Sequence, residues 1–321
     1  MQPAQVSRRL KLRQLDTLLA VAQSGSMAKA AESLSVTQPV VSKSIADLEA
    51  TLGVRLFDRT TQGVEPTLYG RALVERSVAI FNDLRTSVTE LQFLSDSTAG
   101  ELRIGSSETL SVGMLGVILD RLSRSYPRLS FGVVLGGGST NPLPLDDLRA
   151  RNIDLIIGRL PNATPEDIET ISLYEDISRV VAGANNQFTR RRRVQISELI
   201  NEPWCGTPFD SFPFSVVADA CRAAGLPVPH QVVMARSLGI RNSLLASGRF
   251  LTVYPTSVLH FAGKDLSLKR VPINLPSKPY PIGIVTLKNR TLNPAARRFI
   301  DCAREVAADF TRRRPLEADS P

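Results

Sequence analysis

The stretch from Ser26 to Lys43, SMAKAAESLSVTQPVVSK, constrains this chain more than any other, because its spacing fits two short helices across a tight turn. Ser26 is placed to cap the first helix, and the small residues Ala28, Ala30 and Ala31 ahead of Leu34 let a neighbouring helix approach closely. Thr37 is placed to cap the second. Pro39 then falls in its first turn, where a missing N–H costs little, and Val41, Ile45 and Leu48 at i, i+4 and i+7 form a buried stripe. That stripe leaves Gln38, Pro39, Ser42 and Lys43 facing outward. An amide, a hydroxyl and a cation at a helix N-terminus suit base edges and phosphates in the major groove of DNA. A helical hairpin packed inside a core has the same spacing, so the pattern alone leaves both readings open.

The flanking sequence extends the unit. Leu15, Leu18, Leu19 and Ala22 make a helical stripe that predicts a third helix packed on the first two. After Gly53, VRLFDRTTQGVEPT carries short apolar runs around Gly63, the pattern of a two-stranded wing, with Arg59 placed to meet a phosphate or the minor groove. Thr67 is placed to cap a long helix whose apolar residues Leu73, Ile80, Leu84, Val88, Leu91 and Leu94 recur at heptad-like steps. So long a stripe needs a partner, either a second copy of the chain or its own C-terminal part.

These residues carry a resemblance. Leu12 to Gly70 is similar, without a gap, to the winged helix-turn-helix of LysR-type transcriptional regulators, through AAESL, TQPVVSKSI, LE, LGVRLFDR and the closing Gly70. The resemblance implies that the long helix is a linker through which two copies dimerise, so that two recognition helices read an inverted repeat. Gln62 and Glu65 stand where relatives often carry basic residues, which argues against strong minor-groove reading by the wing.

From Ala99 the pattern turns to alternation. LRIG, LSFGVVL and IDLIIG read as strands separated by helices at Leu115 to Leu122 and Leu145 to Leu148, which is βαβαβ with a parallel sheet. Strands and helices recur through PWCG, QVVMA and FLTVYP, and PIGIVTL returns ahead of an Asn293-capped helix. The order predicts two α/β subdomains, the last strand and helix completing the first. It resembles the effector domain of the LysR type, a fold like type 2 periplasmic binding proteins, with SYPRLSF, LRARNIDLIIG and SLLASGRFLTVYP where family members have similar phrases. IIGRLP further resembles the subgroup of galactose-binding-protein and protocatechuate-pathway regulators, which respond to sugars or aromatic-pathway acids. The expected architecture is α+β and multidomain. It comprises a winged helix-turn-helix over 1–66, a linker helix over 67–97 and an effector domain over 98–321. Subdomain I covers about 98–172 and 281–314, and subdomain II about 173–280.

Ligands of open α/β sheets bind beyond the carboxyl ends of strands, where helix N-termini offer free N–H groups. The loops there bring Ser106, Ser107, Glu108 and Thr109, then Gly136 to Ser139 with Gly137 at the centre, then Arg159. Thr207, Phe209 and Ser237 come from the second subdomain. Hydroxyls, backbone donors and one guanidinium suit a small polar or anionic metabolite, although any single Ser or Thr here also serves as a helix cap, and Arg159 also suits a salt bridge between subdomains.

A net charge of +8 favours an anionic partner, yet much of the excess lies in Arg190 to Arg193 and Arg312 to Arg314, runs that read as solvated surface. No G-x-S-x-G elbow, P-loop or dinucleotide fingerprint occurs, so an enzyme is not expected. Cys205, Cys221 and Cys302 are too few and too scattered for a disulfide framework or a zinc site, and two histidines exclude a histidine-rich one. No cofactor or metal is expected. Neither a membrane span nor a signal-type N-terminus is visible, which predicts the cytoplasm. The expected partners are double-stranded promoter DNA, a small-molecule effector and the chain itself as a homodimer or homotetramer. RNA polymerase is a further candidate partner. A ligand-independent repressor and a periplasmic-type solute-binding protein are the alternatives.

Overall fold

Cap residues set several of the helix boundaries in the N-terminal region. In a computed structural model, which describes residues 10–60, 63–95, 99–136, 143–209 and 212–313, α1 (Leu12–Ser24) stops at Gly25, whose φ of 64° reverses the chain. Ser26 caps α2 (Met27–Ser33), its Oγ accepting from the Lys29 amide at 3.5 Å. Thr37 occupies the N-cap of α3 (Gln38–Leu52) without a side-chain bond, so Pro39 and the extended Thr37 backbone start that helix instead. Leu18, Val21, Ala30, Ala31, Val41, Ile45, Leu48 and Leu56 close one core between the three helices.

The wing is β1 (Phe57–Thr60) paired antiparallel with β2 (Gly63–Pro66). Glu49 of α3 fixes its entry, one carboxylate oxygen accepting from the Leu56 and Phe57 amides at 2.7 and 3.3 Å. Thr67 then caps α4 (Leu68–Ser95), its Oγ1 accepting from the Gly70 amide at 3.0 Å. A Cβ on Gly70 would lie 2.0 Å from the Leu56 carbonyl oxygen, so only glycine lets α4 start this close to the wing. Leu73 packs against the winged-helix core and is half-buried within its own chain, unlike Ile80, Leu84, Val88 and Leu91 farther along, which are exposed.

Contacts divide the chain into two units, Met1–Val88 with Ala150–Asn152, and Thr89–Arg149 with Ile153–Pro321. The second is built on two five-stranded sheets. In subdomain I, β3 (Ala99–Ser106), β4 (Arg128–Leu135) and β5 (Leu155–Arg159) are parallel, as the βαβαβ pattern requires. The late strand β12 (Tyr280–Leu287) enters antiparallel between β5 and β6 (Ile168–Asp176), giving the order β4-β3-β5-β12-β6 and making the sheet mixed. Helix α5 (Gly116–Ser125) and the final helix α10 (Pro294–Arg313), capped by Asn293, bury Leu102, Ile104, Ile118, Leu155, Ile284, Phe299 and Val306 against one face. The short α6 (Leu145–Arg149) covers the other with Leu145 and Leu148.

Subdomain II holds β7 (Ser178–Gly183), β8 (Trp204–Gly206), β9 (Gln231–Met234), β10 (Leu251–Pro255) and β11 (Leu268–Arg270), ordered β11-β7-β10-β8-β9. Helices α7 (Ser215–Ala223), α8 (Leu238–Ala246) and α9 (Thr256–Ala262) accompany it. Its core centres on Trp204, which is fully buried with its indole N–H donating to the Leu199 carbonyl at 2.9 Å. Strand β6 runs on to Asp176, so the crossover falls at Ile177, a few residues past the expected bound of about 172. Ser178 begins β7 at once.

Candidate functional site

The outward face of α3 is as its periodicity requires. Val41, Ile45 and Leu48 point into the core, while Gln38, Pro39, Val40 and Lys43 are exposed and Ser42 is half-buried. Arg59 sits in β1 opposite Val64, and its side chain lies outside the described residues, as does Gln62. The wing hangs on the end of α1, because the Val64 amide donates to the Gly25 carbonyl at 3.0 Å. The unit thus presents a free helix N-terminus, with an amide, a hydroxyl and an ammonium, beside a hairpin.

The second site is a cavity of about 380 Å³ between the subdomains, at the carboxyl ends of β3, β5, β8 and β10. Of the sequence-predicted residues, Ser107, Thr109, Arg159 and Thr207 line it together. Three others are placed elsewhere. Ser106 is the last residue of β3 and fully buried, its Oγ donating to the Ile157 and Ser107 carbonyls. Phe209 packs edge-on between Trp204 and Phe214 in the subdomain II core. Ser237 is spent on capping α8, its Oγ accepting from the Ile240 amide at 3.4 Å. Gly137 lies outside the described residues, although Gly136 lines the cavity.

Sequence reasoning missed the arginines of subdomain II. Arg236 and Arg241 both line the cavity, one just before α8 and one in its first turn. Arg241 is only 3% exposed; one guanidinium nitrogen donates to the Arg236 carbonyl at 3.2 Å, and Nε has no hydrogen-bond partner. Its guanidinium also lies 4.9 Å from the Tyr254 ring centroid, and burial pushes the Tyr254 hydroxyl above its ordinary value, with Arg241 pulling the other way. Thr207 Oγ1 is likewise buried without a partner. Buried polar atoms are normally satisfied, so two unpartnered atoms on residues that line one cavity point to a ligand or ordered water close by.

Arg159 is placed differently. Its guanidinium stacks 3.8 Å from the Phe212 ring centroid and 5.5 Å from that of Tyr280, and burial lowers its pKa from the ordinary arginine value. Two carboxylates also line the cavity, and backbone donors hold both. Asp176 accepts from the Ile177, Thr256 and Ser257 amides and from the Thr256 hydroxyl, capping α9 at the crossover. Glu108 accepts from the Leu238 amide at 3.0 Å, the first residue of α8. Among the described residues, three arginines and two carboxylates line the cavity, the carboxylates hydrogen-bonded at helix N-termini, a set suited to an anion.

The remaining titratable features stand apart. Cys205, Cys221 and Cys302 are buried free thiols, and burial pushes Cys205 up to about 11, which keeps it an unreactive thiol. Arg190 to Arg193 are exposed, with Arg191 paired to Glu198. Among the described residues no helix is long and apolar enough to cross a membrane.

Comparison with known proteins covers both parts of the chain. Residues 12–71 match the family described as "Bacterial regulatory helix-turn-helix protein, lysR family", and residues 95–308 match the "LysR substrate binding domain". The regulator GbpR of Azospirillum brasilense is 31% identical over 98% of this chain and 91% of its own length. PcaQ of Agrobacterium fabrum is also 31% identical, over 56% of this chain and 58% of its own. The fold is that of full-length CbnR in complex with its target DNA, with a TM-score of 0.68 at 22% identity, covering 92% of this chain and 100% of that one.

Proposed function

Since this chain belongs to the LysR family of bacterial transcriptional regulators, we propose that it binds promoter DNA as a dimer or tetramer and alters that contact when a small carboxylate-bearing metabolite enters the cleft. The family is one of DNA-binding regulators and not of enzymes. Gln38, Ser42 and Lys43 read base edges and phosphates, with Arg59 of the wing on the flanking backbone. The exposed apolar residues of α4 pair with a second copy, which sets two recognition helices about 34 Å apart on an inverted repeat. The work is done in the cytoplasm.

The single observation that carries the effector reading is the buried Arg241, whose Nε has no hydrogen-bond partner, among the residues that line the cavity. The Phe212 and Tyr280 rings beside Arg159 suit a flat apolar portion of the same molecule. A ligand touching both subdomains favours one arrangement of them, and its differential affinity is what shifts half-site spacing or DNA bend.

The test is a footprint on genomic fragments selected by the purified protein, at fixed salt, with and without aromatic and aliphatic carboxylic acids and sugars. The expected result is a protected inverted repeat whose extent or bend changes with an acid. Protection unchanged by every compound that binds the protein overturns the effector half of the proposal. Failure to select any common repeat overturns the DNA half.

A further inference from the structure

Glu108 is the first residue after the β3 end loop of subdomain I, where a helical turn, Glu108–Leu110, leads into a π-helical stretch, Ser111–Leu115. Its carboxylate reaches across the cleft to the Leu238 amide of α8 at 3.0 Å. The N-terminus of α8, a nine-residue helix, carries the positive end of the helix dipole; its Ile240 amide is capped by Ser237 Oγ, and its Leu238 amide is the one that Glu108 takes. A second feature lies in the same cavity. Arg241, in the first turn of that helix and almost wholly buried, lines the cavity with an Nε that bonds to nothing. The site is thus built for a carboxylate, and the chain supplies one of its own from the opposite subdomain.

We infer that Glu108 is a built-in competitor: it occupies the α8 N-terminus when the cleft is empty, and an incoming effector carboxylate displaces it, taking the Leu238 amide and Arg241 and thereby releasing a hydrogen bond that ties the two subdomains together. The inference rests on the cleft being the effector site. It adds the mechanism by which occupancy becomes a conformational signal, since one and the same donor cannot serve both carboxylates. The tether also sets a threshold. A side chain held in place acts at high effective concentration, so a weakly binding anion does not displace it.

The experiment uses the full chain as wild type, Glu108→Gln, Glu108→Ala and Arg241→Gln, each checked for an unchanged far-UV spectrum, with sulfate as the probe anion at constant ionic strength. Without sulfate, amides at the start of α8 are expected to exchange about tenfold faster in Glu108→Ala than in wild type, because a charge-assisted bond to an amide is of that order. Glu108→Gln, which keeps the shape and loses the charge, falls between them. Sulfate is expected to bind Glu108→Ala about tenfold more tightly than wild type and to restore the lost protection. Equal α8 exchange in all Glu108 forms, or equal sulfate affinity, overturns the inference. If Arg241→Gln binds sulfate as well as wild type does, the cleft itself is misassigned, a different failure from a sulfate site that needs Arg241 and ignores Glu108.

Discussion

Gly63 lies so close to Gly25 that a Cβ added to it would stand 2.3 Å from the Gly25 carbonyl oxygen. That carbonyl is also the acceptor for Val64, and Gly63 has a φ of 139°, which side chains rarely adopt. The β2 end of the wing is therefore seated on the turn that closes α1. Gly63→Ala is expected to cost about 1–3 kcal/mol through backbone strain and the loss of this seat. The N-terminal unit should melt several degrees lower by calorimetry, with weaker DNA binding below that transition. An unchanged melting profile would show that the wing does not depend on this contact.

The exposed face of α3 divides into two kinds of contact with different signatures. Gln38→Ala is expected to lose about 1–3 kcal/mol on the specific site and little on random DNA, because a side-chain amide reads base edges. Lys43→Ala is expected to weaken both and to flatten the slope of log affinity against log salt by about one, because an ammonium on a phosphate releases counterions. Fluorescence anisotropy over a salt series on both DNAs separates them. Equal losses for Gln38→Ala on the two DNAs would remove it from base reading.

The face of α3 was legible in the sequence because helical period and cap residues are local, and Val41, Ile45 and Leu48 leave little choice about what points out. The return of the last strand and helix to subdomain I was legible for similar reasons, since PIGIVTL and the Asn293 cap mark them, but the sheet order was not, and only the structure shows β12 running antiparallel between β5 and β6. The cleft was half legible. Strand ends named Ser107, Thr109, Arg159 and Thr207, but a strand end does not say whether its side chain turns into the cleft or into the core, and Ser106 and Phe209 turn into the core. Arg236 and Arg241 flank the Ser237 cap, and their role depends on α8 facing the other subdomain, which no local pattern encodes. Glu108 was visible in its loop, yet its partner Leu238 is 130 residues away.

The stripe on α4 makes a prediction about assembly. Ile80, Leu84, Val88 and Leu91 are 40%, 46%, 46% and 66% exposed, at successive spacings of four, four and three. Exposed apolar side chains on one helical face bury themselves against a like face when copies meet. Leu84→Glu combined with Val88→Glu is expected to convert the chain to monomer at micromolar concentration by light scattering. It should weaken binding to an inverted repeat at least tenfold while leaving a half-site nearly unaffected, since only the pairing of recognition helices is lost. A double variant that remains dimeric would move the dimer interface away from α4.

Thr207 offers a separation of stability from response. Its Oγ1 is buried at the cavity without a hydrogen-bond partner, a state that costs about 1–3 kcal/mol relative to a satisfied hydroxyl. Valine has nearly the same shape and no polar atom to strand. Thr207→Val is therefore expected to melt at the same temperature as wild type or higher, unlike most substitutions at buried polar positions, where a working hydrogen bond is lost. Its DNA affinity without effector should be unchanged. The response of the footprint to an active acid should fall sharply, because the hydroxyl is a polar group that an acid in the cavity can engage and valine is not. Ser107→Ala serves as the contrast: its Oγ lies 3.3 Å from Thr109 Oγ1, so its loss removes an existing contact and should lower the melting temperature slightly as well as the response. If Thr207→Val melts lower and still responds fully, the hydroxyl is satisfied by water within the subdomain and takes no part in binding.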